Sequence, residues 1–146
     1  MYALGLLARR EYSLAELRQR LALRGYADCA GEVVSQLAEQ GMVSDLRYGE
    51  SRVRVRAEQG VGPLRIQMEL KTKGVAEDLI HDLLRMHDDA WLERACAARR
   101  KRFGAALPDE RSERARQARF LQGRGFSFEQ IDHAVYSTNP VKNRDL

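Results

Sequence analysis

The side chains most suited to chemistry in this sequence are basic, and they are concentrated in the last third of the chain. The densest run is Arg99-Arg100-Lys101-Arg102, and it is followed by Arg111, Arg114, Arg116, Arg119 and Arg124. Guanidinium and ammonium groups donate hydrogen bonds to phosphate oxygens, and each neutralised phosphate adds a salt-dependent increment of affinity. A solvated surface would also carry such runs of charge. Because basic segments also occur earlier in the chain, we favour a functional, phosphate-contacting surface.

Residues typical of catalysis or metal binding do not form a recognisable constellation. The three histidines, His81, His87 and His133, lack metal-type spacing with a cysteine or carboxylate. No nucleophile elbow, zinc-protease or phosphate-loop motif occurs. The two cysteines, Cys29 and Cys96, do not form a disulfide framework, and we predict that each is a small buried hydrophobe. The sequence therefore predicts no catalytic residue, no metal, no cofactor and no enzymatic activity.

The distribution of charge along the chain is more informative than its net value of +4. Successive segments carry +3 (residues 1–27), −4 (28–50), +4 (51–75), −5 (76–93), +7 (94–124) and −1 (125–146). Basic and acidic stretches therefore alternate with a spacing of about fifty residues, which suggests an internal repeat.

The repeat becomes visible when Gly25, Gly74 and Gly125 are aligned. A leucine lies four residues before each glycine, and the residues that follow are Tyr26, Val75 and Phe126. This is the pattern of a helix C-terminus at which glycine adopts a positive φ and the next residue packs back on the last turn. Three divergent copies of a helical unit are the simplest explanation.

The elements that must position the basic residues are predicted to be helices. Leucine and alanine occur 18 times each, whereas threonine occurs twice and isoleucine three times, which favours helix over sheet. Capping boxes are predicted at Ser13-Leu-Ala-Glu16 and Ser127-Phe-Glu-Gln130. Pro63 suits the first position of a helix, and Asp45 is predicted to cap another.

One segment carries conflicting signals. Arg52-Val53-Arg54-Val55-Arg56 alternates strictly, which by itself indicates a half-buried strand. No second convincing strand exists to pair with it, and Val53 shares a helical face with Leu46 and Ala57. We therefore predict a helix.

The chain has no segment that marks export or membrane insertion. No apolar run approaches the roughly 20 residues that a spanning helix needs. The first residues also lack the basic region and cleavage site of a secretory signal. We expect an intracellular, cytoplasmic protein without a membrane partner.

Four sequence blocks, in this order, resemble the RecX family of regulators of the RecA recombinase. They are Leu7-Ala-Arg-Arg-Glu-Tyr-Ser13 with Glu16, Leu17 and Leu21; Gly41-Met-Val-Ser-Asp45 with Tyr48; Gly60-x-Gly62-Pro63 with Ile66, Leu70, Gly74 and Val75; and Arg119-Phe-Leu121 with Arg124-Gly-Phe-Ser127. The resemblance covers about residues 3–137. One departure is Gly49, where such proteins tend to carry alanine; glycine costs about 1 kcal/mol of helix propensity there and is expected to loosen the helix.

The resemblance implies an all-α fold of three tandem three-helix repeats, about nine helices, in an elongated, curved molecule. Repeat 1 is predicted at 1–44, repeat 2 at 45–87 and repeat 3 at 88–137, with a flexible tail at 138–146. The implied function is regulation of homologous recombination, DNA repair and the SOS response. Such a protein binds the RecA monomer and the groove of the RecA filament on single-stranded DNA, and it inhibits recombinase, ATPase and coprotease activities.

The predicted partners are RecA and, weakly and without sequence preference, nucleic acid, with the protein itself a monomer. An alternative is a stand-alone helix-turn-helix-like DNA-binding protein, which would bind duplex DNA tightly and with sequence specificity. The residues predicted to contact RecA and DNA are all basic: Arg18, Arg24, Arg54, Lys71, Lys73, Arg100, Lys101, Arg116 and Arg119.

Overall fold

The computed structural model describes residues 2–136, and every regular element in that range is helical. The nine α-helices are α1 (Tyr2–Leu7), α2 (Leu14–Leu21), α3 (Ala30–Glu39), α4 (Asp45–Glu58), α5 (Pro63–Thr72), α6 (Glu77–Arg85), α7 (Asp88–Phe103), α8 (Arg111–Arg124) and α9 (Phe128–Ile131). After Leu21, α2 continues to a helix end at Gly25, whose dihedral angles are not helical. Asp132–Tyr136 continues α9 as a π-helical turn. The all-α prediction is confirmed, and the alternating segment Arg52–Arg56 lies within α4.

The helix starts follow the capping signals in the sequence in part. Ser127 forms the complete capping box with Gln130. At Ser13 only half of the predicted box forms: the hydroxyl accepts the N–H of Glu16 at 3.0 Å, while the Glu16 carboxylate accepts from Arg10 and Lys73. Pro63 begins α5 as predicted. The prediction for Asp45 is wrong. The Ser44 hydroxyl accepts an N–H at the start of α4, while Asp45 accepts the N–H of Leu14, at the start of α2, at 2.8 Å.

Each of the three aligned glycines adopts a positive φ, as the repeat predicts. The values are 99° at Gly25, 81° at Gly74 and 97° at Gly125. After Gly74 and Gly125 the chain folds back, so that the N–H of the next residue bonds to the carbonyl of the leucine five residues earlier. Val75 and Phe126 are buried accordingly. The prediction that Tyr26 packs in the same way is wrong, because its side chain is exposed.

The chain divides into two compact units. Among the described residues, unit 1 contains the chain up to Arg54 and Gln67–Leu83, and unit 2 contains Val55–Ile66 and residues 84–136. The unit boundaries fall inside α4, α5 and α6. The repeat boundaries after residues 44, 87 and 137 stay predictions, and the predicted tail at 138–146 lies outside the described residues.

Each unit has an apolar core supplied by the inward faces of its helices. In unit 1 the core includes Tyr12, Leu17, Leu21, Val34 and Val43. In unit 2 the fully buried side chains include Trp91, Leu121, Phe126 and Val135. The cysteines are less buried than predicted: Cys96 is half-buried, and Cys29 is exposed. None of the helices in the described range is both long and apolar enough to cross a membrane.

A helix start seated on a helix end holds unit 1 together. The start of α2 lies against the end of α5, where the Ser13 hydroxyl donates to the Lys73 carbonyl at 2.8 Å. The contact is close: a Cβ on Gly74 would lie 2.6 Å from the Cβ of Ala15. Glu16 reinforces it by accepting from Lys73 at 3.3 Å and from Arg10 at 3.1 Å.

Unit 2 contains the same arrangement one repeat later, with the start of α5 on the end of α8. The N–H of Gly62 donates to the Arg124 carbonyl at 2.7 Å, and that of Leu64 donates to the Gly125 carbonyl at 2.9 Å. These bonds pair N–H and C=O groups that helix ends otherwise leave without partners. The backbones approach so closely that a Cβ on Gly62 would collide with the carbonyl group of Gly125.

Gly62→Ala is expected to destabilise unit 2 by about 2–3 kcal/mol, because its new methyl group meets backbone that cannot move aside. Urea unfolding followed by the fluorescence of Trp91, which is buried in unit 2, measures the change. The matched control is Gly123→Ala. Gly123 lies in α8, and a Cβ added to it would meet nothing within 4 Å, so alanine there should stabilise by up to about 1 kcal/mol. Equal effects of the two substitutions would contradict the close approach.

The ion pairs at Glu16 predict an acid-sensitive contribution to stability. Burial opposes ionisation of Glu16, but the hydrogen bonds from Arg10 and Lys73 outweigh it and lower the pKa of this carboxyl. The stabilisation is therefore complete above the unfolded-state value of about 4.3 and is lost as the pH falls through the lower folded-state value. Thermal unfolding between pH 2 and pH 7 should show wild type more stable than Glu16→Gln near neutrality and the difference shrinking in acid. Glu129→Gln, an exposed control, should differ little from wild type across this range.

Candidate functional site

The four-residue basic run at the end of α7 is divided by helical geometry into one inward and three outward side chains. Arg99 is only 3% exposed. Its guanidinium donates to the carbonyls of Gly104 at 3.3 Å, Ala105 at 3.4 Å and Ala106 at 3.2 Å. Arg99 therefore holds the connection between α7 and α8 in place, while Arg100, Lys101 and Arg102 face solvent.

The hydrogen bonds of Arg99 to these three carbonyls, here called the Arg99 clamp, are extended by two side chains of α8. Arg99 also donates to the Gln117 side-chain oxygen at 3.4 Å, and Gln117 donates to Glu113 at 3.1 Å. The hydrogen bonds from Gln117 and then Arg116 lower the pKa of Glu113. This chain of contacts fixes the first turns of α8 against the end of α7.

Two phenylalanine rings form the base on which the outward arginines rest. Phe103 and Phe120 pack edge to face, with ring centroids 5.3 Å apart. The guanidinium carbon of Arg102 lies 5.8 Å from both centroids, and that of Arg124 lies 5.4 Å from the Phe120 centroid. Arg116 stacks on Phe103 at 5.2 Å. Cation–π contacts of this kind orient a guanidinium and leave its N–H donors available.

Beside these rings lies a shallow groove of about 210 Å³, here called the basic groove. Its lining residues are Gln59, Gly60, Ala98, Lys101, Arg102, Phe120 and Arg124. Within the described part of the chain, Lys101, Arg102 and Arg124 have no carboxylate at ion-pair distance. The groove is smaller than the pockets that enclose small ligands, so it suits a contact with an extended anionic chain.

Four of the nine residues predicted to contact RecA and DNA are instead engaged in ion pairs. Each pairs with a glutamate: Lys71 with Glu77 at 3.4 Å, Lys73 with Glu16 at 3.3 Å, Arg100 with Glu93 at 3.0 Å and Arg116 with Glu113 at 2.9 Å. Exposed pairs are worth only about 0–1 kcal/mol and can exchange partners. Even so, the neighbouring carboxylate cancels much of the attraction for an anion.

The other five predicted residues are spread over several helices. Lys101 lies in the basic groove, and Arg119 and Arg54 are exposed on α8 and α4. Arg18 lines a wider groove of unit 1, of about 610 Å³, next to Gly31. Arg24 lies 4.9 Å from the centroid of the Tyr2 ring.

The nine-residue set did not include Arg102 and Arg124, which complete the basic groove. A sequence signal for one of them exists, since Phe120 and Arg124 are four residues apart and therefore neighbours on a helix. No group of three His, Cys, Asp or Glu side chains in residues 2–136 is arranged to hold a metal ion.

Removing the Arg99 clamp should destabilise unit 2. Arg99→Ala leaves three loop carbonyls without a donor and is expected to cost about 3 kcal/mol. Arg100→Ala, the matched control on the exposed neighbour, should change stability by less than about 0.5 kcal/mol. Thermal unfolding followed by Trp91 fluorescence compares the two variants. Similar losses in both would show that Arg99 has no special structural role.

Three family models match successive parts of the chain. Their descriptions are RecX first three-helix domain (residues 1–41), second three-helix domain (44–84) and third three-helix domain (88–135). These matches account for the three aligned glycines, one in each domain. The resemblance carried by the four sequence blocks is confirmed, and so is the fold of three-helix repeats.

Curated relatives and a solved structure agree with these matches. The regulatory protein RecX of Halorhodospira halophila is 46% identical over 97% of this chain and 89% of that protein. That of Chromohalobacter salexigens is 43% identical over 91% of this chain and 88% of that protein. The crystal structure of RecX from Lactobacillus salivarius shares the fold with a TM-score of 0.78 at 23% identity, covering 99% of this chain and 92% of that one.

Proposed function

This chain belongs to the RecX family of regulatory proteins, and on that premise we propose that it regulates homologous recombination and DNA repair through the RecA recombinase. In the cytoplasm it binds two forms of RecA, the RecA monomer and the groove of the RecA filament on single-stranded DNA. Binding inhibits the ATPase, recombinase and coprotease activities. The protein acts as a monomer and has no enzymatic activity of its own.

The observation that carries this proposal is the basic groove. Lys101, Arg102 and Arg124 present three cations to one groove without a carboxylate partner among residues 2–136. A nucleoprotein filament contains a regularly spaced phosphate backbone beside protein. Phosphate contacts position a protein on nucleic acid without reading its sequence, which agrees with weak, nonspecific binding to DNA alone.

The other eight predicted residues, Arg18 and Arg24 among them, are proposed to make further contacts outside the basic groove. Arg119 and Arg54 are exposed and available for further contacts. Lys71, Lys73, Arg100 and Arg116 can contribute only after leaving their glutamate partners. Charges at the edge of an interface chiefly affect orientation and the rate of association. We therefore expect these residues to contribute less than the basic groove.

Neutralising two groove residues tests the proposal. The double variant Lys101→Gln/Arg124→Gln should bind single-stranded DNA about tenfold more weakly at low salt. Its slope of log affinity against log salt should be shallower by about 1.4, since each lost phosphate contact contributes about 0.7. Fluorescence anisotropy on a labelled oligonucleotide at several salt concentrations, without RecA and with RecA and a slowly hydrolysed ATP analogue, gives both quantities. RecA ATPase activity reports inhibition.

The matched control is Lys71→Gln/Arg100→Gln, which removes the same charge from residues held in ion pairs. It should lose less than about threefold in affinity, because paired cations contribute little. If both double variants lose affinity equally, net charge explains binding and the groove has no special role. Tight, sequence-specific binding of wild type to duplex DNA would instead favour the helix-turn-helix alternative.

A further inference from the structure

The three aligned glycines mark equivalent helix ends, and one of the three is uncovered. The end at Gly74 receives the start of α2, and the end at Gly125 receives the start of α5. At Gly25, with a φ of 99°, a Cβ would meet nothing within 4 Å. The first repeat therefore has a helix end of the same type, but no helix start from the described residues is seated on it.

Two side chains beside Gly25, those of Leu23 and Tyr26, are apolar and exposed. Val75 and Phe126, which follow the two covered glycines, are 3% and 2% exposed, whereas Tyr26 is 48% exposed. Two residues before the glycine, Leu23 is 79% exposed. Thr72 and Gly123 stand at the positions that match Leu23, so a leucine is present only where the helix end is open.

An apolar groove of about 270 Å³ adjoins the open end. It is lined by Tyr2, Ala3, Leu21, Tyr26, Cys29 and Val33. Arg24 lies at the edge, with its guanidinium 4.9 Å from the centroid of Tyr2. Arg24 matches Lys73 in the alignment, which is the residue that pairs with Glu16 of the seated helix.

The covered end at Gly74 defines the chemistry of an occupant. There the seated helix begins with a hydroxyl that donates to the end carbonyl (Ser13), then a small residue against the glycine (Ala15), then a carboxylate that pairs with the basic residue (Glu16). The positive end of the incoming helix dipole also meets the negative end of the other helix. The start seated on Gly125 has a different order, Gly62-Pro63-Leu64-Arg65. An occupant of the Gly25 end that pairs with Arg24 as Glu16 pairs with Lys73 should have the order of the Gly74 contact: Ser or Thr, any residue, a small residue, Glu.

A second copy of this chain does not supply that helix from its described residues. The matching start, Ser13–Glu16, is already seated on Gly74, and the start at Ser127 continues with Phe128 and Glu129 before Gln130. Among the described residues of a second copy, neither start is therefore both free and of this order.

We propose that the Gly25 end of α2, with Leu23, Arg24 and Tyr26, binds a helix N-terminus of the partner recombinase that begins Ser/Thr-x-small-Glu. This inference rests on the proposed function, because it takes the recombinase as the protein partner. It assigns to the first repeat a contact that depends on apolar burial and helix-end hydrogen bonds, separate from the basic groove.

The test compares filament binding with DNA binding in the full-length chain. Leu23→Ser/Tyr26→Ser should weaken binding to RecA filaments on single-stranded DNA about tenfold and leave affinity for DNA alone unchanged. Anisotropy with and without RecA measures both. The matched control Phe128→Ser removes an exposed aromatic ring from unit 2 (84% exposed) and should retain wild-type filament affinity. Circular dichroism confirms that the variants are folded, as expected for exposed positions.

The outcomes separate this inference from the proposed function. If wild type binds filaments and Leu23→Ser/Tyr26→Ser binds within twofold of it, or if Phe128→Ser loses as much, the docking surface is refuted while the proposed function stands. If wild type does not bind RecA filaments, the proposed function fails. Sedimentation velocity adds a further arm: concentration-dependent dimers that Leu23→Ser/Tyr26→Ser abolishes would assign the Gly25 end to a second copy and overturn the proposal.

Discussion

The structure depends on helix starts seated on glycine-ended helices. A helix leaves N–H groups unpaired at its start and C=O groups unpaired at its end, and joining one to the other satisfies both. In unit 2 the N–H groups of Gly62 and Leu64 bond to carbonyls at the end of α8, and in unit 1 the Ser13 hydroxyl plays the corresponding part at the end of α5. Both contacts need backbone approach that a side chain would block, which explains glycine at Gly62 and Gly74 beyond the requirement for a positive φ.

The same geometry gives Gly49 a reason to be glycine. The sequence suggests that Gly49 weakens α4, since glycine is a poor helix former. In the structure α4 runs without interruption from Asp45 to Glu58, and a Cβ on Gly49 would collide with the side chain of Leu83 in unit 1. Close packing of helices against one another therefore accounts for a residue that propensity alone makes unfavourable.

The basic residues divide into classes that their order in the sequence does not reveal. Arg99 is a buried clamp, Arg100 is paired with Glu93, and Lys101 and Arg102 line a groove with Arg124. Four consecutive residues thus have three roles, because successive helical positions point in directions about 100° apart. Carboxylates lie within ion-pair distance of several cations, in some pairs from the same basic segment, so local sequence charge overstates the free positive surface.

Local signals in the sequence were enough to define the secondary structure, the repeat and the family. Capping residues, positive-φ glycines and helical periodicity act over a few residues, so Ser127, Pro63 and Gly125 could be interpreted without knowing the fold, and the helical state of Arg52–Arg56 followed from the lack of a partner strand. What each local feature contacts was decided only by the packing of the helices. That packing directed the Asp45 side chain to the N–H of Leu14 at the start of α2 and left Tyr26 and Cys29 exposed. It also brought Arg124 of α8 and Lys101 of α7 to the same groove. The division arises because burial and ion pairing depend on residues distant in sequence, which backbone propensities and spacing do not encode.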